Sequence, residues 1–119
     1  MALPASFDIY YYRGDTYSFY LNVRDAEGNP LDLEAENYQG LFTIAKYRGP
    51  ETEESGPKEE TTGTVLVIGS QLQCTIPPAT GANLTNGPYV YDVQVKKSAD
   101  YVYTYVTGNI YVTLDVGDE

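Results

Sequence analysis

Histidine is absent from this 119-residue chain, and that gap removes most of the side-chain chemistry a domain of this size could run. Without an imidazole there is no Ser-His-Asp or Cys-His nucleophile pair, no histidine general base and no histidine-ligated zinc. The one cysteine, Cys74, lies in the alternating run Leu72-Gln73-Cys74-Thr75-Ile76 on the face of Leu72 and Ile76, which predicts a small buried thiol. A carboxylate pair of the glycosidase kind is the remaining catalytic option, but 17 acidic residues make chance pairs inevitable and none falls in a motif. The sequence therefore reads as non-enzymatic, with no catalytic residue, cofactor or metal site assigned. Asp25-Ala26-Glu27-Gly28-Asn29 offers oxygen ligands without the spacing of a calcium loop and reads as a solvated turn. Arg13-Gly14-Asp15 spells the tripeptide that integrins recognise, and a glycine-containing connection between strands is its simpler reading.

What remains is tyrosine, at 13 residues with no tryptophan. Strand positions favour tyrosine, and some of these rings must be core. Tyrosine also suits protein interfaces, where a large amphipathic ring covers area at low entropic cost, and it can stack on sugars. Tyr10, Tyr11 and Tyr12 are consecutive, so alternation cannot bury all three on one face of a sheet. Tyr20 and Tyr111 sit on the faces opposite their strands' aliphatic residues. These five are the interface candidates.

The elements that must position them are strands. From Tyr89 to Val116 apolar and polar residues alternate: Tyr89, Tyr91, Val93 and Val95 oppose Val90, Asp92, Gln94 and Lys96. The pattern continues with Tyr101, Tyr103 and Tyr105 against Val102, Thr104 and Val106, then Ile110, Val112 and Leu114 against Tyr111 and Thr113. The run Tyr101 to Val106 has no proline or lysine to protect an edge, which places it inside a sheet or against another chain. Earlier, Phe7 to Tyr12 predicts a short strand, and Tyr17, Phe19, Leu21 and Val23 an inward face. Asp25 to Pro30 predicts a hairpin or corner, with Leu31-Asp32-Leu33 extended again beyond it. Leu41 to Lys46 is a further strand with Phe42 and Ile44 buried, and Gly69-Ser70 joins Val65–Ile68 to Leu72–Ile76 as a two-residue hairpin. Pro77 to Leu84 predicts a crossover with one helical turn at Ala79 to Leu84, and Gly87-Pro88-Tyr89 resembles a tyrosine corner. Seven to eight short strands with no amphipathic helix predict an all-β fold, an immunoglobulin-like antiparallel β-sandwich.

The totals bound the rest. The length predicts a single β-sandwich domain over residues 1–119, and Gly49 to Gly63, rich in glutamate and almost free of apolar residues, predicts a mobile acidic loop. A net charge of -10 repels phosphates and anionic lipid, so no nucleic-acid or membrane partner is expected. Nothing at the start resembles a targeting segment, and no segment approaches the length of a membrane span, which predicts a soluble protein made in the cytoplasm.

Three segments carry a family resemblance: Arg13-Gly14-Asp15-Thr16-Tyr17-Ser18-Phe19, then Leu21 through Leu33, then Gly87-Pro88-Tyr89-Val90-Tyr91-Asp92-Val93-Gln94-Val95. A Gly-Asp lead into an alternating strand, an Asp-x-x-Gly-x-Pro-hydrophobic-Asp-Leu turn and a late Gly-x-Tyr-x-Tyr-Asp strand together resemble the N-terminal domain of the baseplate upper protein family and related tail-associated modules of tailed bacteriophages. Glu34-Ala35-Glu36-Asn37-Tyr38 departs from the Leu-Thr-Gly-Tyr-like turn of that pattern, and the acidic stretch after Gly49 is longer than a minimal hairpin. The resemblance implies a virion structural protein, assembled in the host cytoplasm, that docks on tail, baseplate or collar and has other virion proteins as partners. Capsid decoration is the alternative within that class. A carbohydrate-binding module for host glycans is the alternative outside it, ranked lower because tryptophan is missing. A homo-oligomer is open on either reading.

Overall fold

In the computed structural model, which describes residues 5–24, 27–98 and 101–114, the alternating runs pair into two facing sheets. In chain order the elements are β1 (Ala5–Ser6), β2 (Ile9–Tyr12), β3 (Tyr17–Asn22), β4 (Gln39–Ala45), β5 (Thr61–Thr62), β6 (Thr64–Ile68), β7 (Gln71–Ile76), the helical turn α1 (Pro78–Gly81), β8 (Gly87–Ser98) and β9 (Tyr101–Thr113). The large sheet runs β1-β9-β8-β4-β5, with β2 continuing β1 along the same edge of β9, and the small sheet runs β3-β7-β6. Strands β4, β8 and β9 facing β3, β7 and β6 form the β-sandwich that the alternation predicts. The pairing is antiparallel except at the N-terminal edge, where β1 and β2 run parallel to β9. That reversal follows from chain path: β2 and β9 lie at opposite ends of the sequence, so no hairpin fixes their direction.

Each sheet buries the side chains of one parity. Tyr89, Tyr91 and Val93 of β8, Phe42 and Ile44 of β4, Ile110 and Val112 of β9, and Leu72, Cys74 and Ile76 of β7 meet between the layers. Antibody domains put a disulfide and a tryptophan at the centre of this space. Here Phe19, Phe42 and Tyr91 fill it with edge-on rings, at centroid separations of 5.5 Å for Phe19–Phe42, 5.6 Å for Phe42–Tyr91 and 6.2 Å for Phe19–Tyr91. Tyr89 is a tyrosine corner: its buried ring carries a hydroxyl that accepts the Thr85 N–H at 2.8 Å, four residues upstream. This ties the crossover to the start of β8.

Three local features depart from simple alternation. Between the pairs Val93–Val106 and Gln94–Thr104 the register slips by one, so β9 bulges at Tyr105. Tyr105 is then half-buried beside fully buried Val106, and its hydroxyl reaches the Asn22 carbonyl at 3.0 Å. Secondly, Leu31 bonds back to Val23, but the extension predicted through Leu33 stops there, because the Asp32 carboxylate accepts the Ala35 N–H at 3.0 Å and closes a turn. Thirdly, the N-terminal edge breaks between β1 and β2 at Phe7, whose carbonyl occupies the space where a Cβ on Gly108 would stand. The Tyr91 hydroxyl donates to that same carbonyl.

The hairpin forms as predicted: Ile68 pairs with Gln71 across Gly69-Ser70, and Gly69 takes the positive φ of 60° that such a turn requires at its first position. Strand β9 is internal from Val106 onward, flanked by β8 and the N-terminal strands. Within 49–63, β5 pairs with Thr43 and Ile44, the Lys46 N–H bonds to the Lys58 carbonyl, and the Tyr47 hydroxyl bonds to Gly56 at 2.6 Å. Asp25, Ala26 and Val116, and the side-chain directions read for Tyr101 and Tyr103, lie outside the described residues.

Candidate binding surface

The register of the large sheet decides which tyrosines meet. Pro88 pairs with Tyr111 and Tyr111 with Tyr10, so one row crosses β8, β9 and β2 on the outer face, and Tyr12 lies one step along β2 beside Thr113. Tyr10 and Tyr111 stack with ring centroids 5.3 Å apart and planes inclined by 24°. Tyr10 is 74% exposed, and Tyr12 is more than half exposed. Parallel in-register pairing brings these rings together, because it puts like-facing positions of β2 and β9 side by side.

Of the five interface candidates, Tyr10, Tyr12 and Tyr111 form this cluster. Tyr20 is exposed on the outer face of the small sheet, on the opposite side of the sandwich, where it accepts a long hydrogen bond from Gln73 at 3.4 Å. Tyr11 is a correction: at 2% exposure it is core. Its parity follows Ile9 into the sandwich, its ring meets Tyr17 edge-on at 6.4 Å, and its hydroxyl donates to the Asp15 carbonyl at 2.5 Å. The same ring fills the space over Gly81 of α1, where any Cβ would collide with it. Burial pushes the Tyr11 phenol above its ordinary pKa, with the Asp15 charge adding to the rise and a backbone bond from Gly14 opposing it.

Further along the same outer face sits a polar clamp that sequence reading missed. Arg48 donates to the Asp92 carboxylate at 2.5 Å, to the Tyr91 carbonyl at 3.2 Å and to the Thr107 hydroxyl, so one guanidinium straps β8 to β9. Thr107 also donates to Asp92 at 2.9 Å. Next to the clamp, Tyr47, Lys58, Glu60 and Val90 line a shallow cleft of about 120 Å³. Pockets for drug-sized ligands run from about 300 Å³ upward, well above this volume. The signal that could have located the clamp was weak, since Asp92 is one acid among many and Arg48 lies beyond its strand.

Arg13 of the Arg-Gly-Asp tripeptide turns inward on the chain, with its guanidinium bonding the Leu84 carbonyl at 2.8 Å and the Ala82 carbonyl at 2.6 Å. It anchors the crossover, and the Asp15 N–H closes a turn on the Tyr12 carbonyl at 3.1 Å. Cys74 is fully buried, and burial pushes its thiol up to about 12. A thiol that stays protonated in the folded protein is a poor nucleophile. Among the described residues no three of Asp, Glu, His and Cys come together to hold a metal ion.

No family model matches the chain, and no curated protein matches it in sequence.

Proposed function

We propose that this chain is a non-enzymatic docking module that attaches to a larger protein assembly through the tyrosines on the outer face of its large sheet. The observation that carries the reading is the Tyr10–Tyr111 stack with Tyr12 beside it, a cluster of large exposed rings held in fixed positions by strand register. Rigid aromatic side chains at the centre of a patch are what protein interfaces use as anchors. Stacking turns one face of each ring toward its neighbour, which leaves less aromatic face open to a sugar.

Placement on a phage tail, baseplate or collar rests on the three resembling segments. Their turns have local structural roles here that fit the pattern: Gly14-Asp15 leads into β3, the Asp-x-x-Gly-x-Pro segment is closed by a bridge between Arg24 and Pro30, and Tyr89-x-Tyr91-Asp92 supplies the corner, the core ring and the clamp carboxylate. Asn37, with φ of 61°, takes the left-handed conformation in the Glu34–Tyr38 segment, where this chain departs from the family pattern.

Immunogold labelling of intact particles tests the placement. Label at the tail or neck is the expected result, label over the head would assign the chain to capsid decoration, and absence from purified particles would overturn a virion role. The docking face is tested separately by Tyr10→Ser combined with Tyr111→Ser, which should reduce incorporation into particles while leaving the isolated domain folded.

A further inference from the structure

Hydrogen bonds tie down many of the tyrosine hydroxyls in this molecule. Those of Tyr11, Tyr47, Tyr91 and Tyr105 donate to backbone carbonyls, and that of Tyr89 accepts the Thr85 N–H. The hydroxyls of Tyr10 and Tyr111 have no such partner among the described residues, and both rings reach solvent, at 74% and 37% exposure. Their side chains can turn, while strand register keeps Tyr10 of β2 opposite Tyr111 of β9.

Loss of one electron and one proton from an accessible phenol leaves a tyrosyl radical, with its spin shared between the oxygen and the ring carbons beside it. Two such radicals in contact form a carbon–carbon bond. Tyr10 and Tyr111 are in that contact, with centroids 5.3 Å apart and planes inclined by 24°. The other tyrosines are placed differently. Tyr11 and Tyr17 meet edge-on at 6.4 Å, but Tyr11 is core. Tyr12 lies opposite Thr113, and Tyr20 is on the far sheet opposite Gln73.

We infer that Tyr10 and Tyr111 are the site of an oxidative cross-link, in which a peroxidase-type one-electron oxidant supplied with hydrogen peroxide joins the two rings as dityrosine and staples the N-terminal strand to β9. Each phenol gives up one electron and one proton. The peroxide takes up the two electrons and two protons and leaves as two molecules of water. The radicals couple through one Cε carbon of each ring, and the hydrogen on each of those carbons then moves to the oxygen of its own ring, restoring both phenols. Neighbouring strands lie about 4.8 Å apart, so in-register pairing holds the two side chains at their roots and the rings need only slide from stacked to joined. The bond secures a short edge: β1 and β2 are two and four residues long, and each pairs with β9 alone. It also ties together segments near opposite ends of the chain, which restricts the unfolded state in the way a long-range disulfide does. The reaction needs this face uncovered and does not depend on what docks there.

Oxidation of the full chain with a haem peroxidase and hydrogen peroxide, followed by trypsin and mass spectrometry, tests the site. Cleavage after Arg13 and Lys97 should release peptide 1–13 joined to peptide 98–119, lighter than their sum by two hydrogen atoms, from a chain that stays monomeric. Tyr10→Phe and Tyr111→Phe keep a ring in place and remove the phenol, so each should abolish the link with strand content by circular dichroism unchanged. Tyr12→Phe and Tyr20→Phe should retain it. The linked wild type should melt at a higher temperature than Tyr10→Phe oxidised in the same way. A link that survives Tyr10→Phe or Tyr111→Phe, links formed only between chains, or no link in a solution where added free tyrosine dimerises would each overturn the site, and equal melting temperatures would overturn the staple.

Discussion

Tyr91 shows how one residue serves several layers of this molecule. Its ring fills the aromatic centre, its hydroxyl holds the Phe7 carbonyl, and its backbone carbonyl receives Arg48. Burial, followed by the charges of Asp8 and other neighbours, pushes its phenol well above the ordinary 10.0. The unfolded chain releases this proton at lower pH than the folded one, so the associated stability is complete below about pH 10 and is lost as pH rises through the folded value. Urea titrations at neutral and strongly alkaline pH should show that loss, and Tyr91→Phe should diminish it while costing about 1 kcal/mol at neutral pH through the missing hydrogen bond. Cys74 behaves likewise at the level of reactivity. Iodoacetamide should leave it unmodified in the native protein and alkylate it in denaturant, read by mass spectrometry. Among the consecutive tyrosines, Tyr11→Ser should destabilise by about 3 kcal/mol or more, as large core truncations do. Tyr10→Ser should stay within about 1 kcal/mol, as for other exposed positions, and thermal melts of the two variants separate core ring from surface ring.

At the scale of the element, the N-terminal edge depends on a missing side chain. β1 and β2 follow β9 with one constant register, Ser6 to Thr107 and Ile9 to Ile110, and Phe7 lies over Gly108 between them. A Cβ there would stand 2.0 Å from the Phe7 carbonyl oxygen, which is backbone and cannot swing aside. Gly108→Val should therefore detach the N-terminal strands locally, at a cost of about 1–3 kcal/mol. Hydrogen exchange would report it as lost protection at Ile9 to Tyr12 with the β6–β7 hairpin unaffected. Because the same edge carries Tyr10 and Tyr12, this variant should also impair docking without any change to an aromatic residue.

For the whole molecule, charge is carried by the connections and by β8, and the other strands hold none. The acidic stretch from Glu51 to Glu60 lies on the connection from β4 to β5, the Arg48–Asp92 clamp crosses the large sheet, and the small sheet is neutral. Period-two alternation along Tyr89 to Val95 and Leu72 to Ile76 was enough to define an all-β sandwich and most of its inward faces, because a strand's two sides are written residue by residue in its own sequence. The hairpin at Gly69, the corner at Tyr89 and the burial of Cys74 were legible for the same reason. The alternation also required an outward ring among Tyr10 to Tyr12. Only the tertiary structure decided that Tyr10 meets Tyr111, that Tyr20 belongs to the far side, that β9 bulges at Tyr105 and that β6 is an edge. Those facts depend on which strands become neighbours and in what register, and pairing between segments a hundred residues apart leaves no periodic trace in either one.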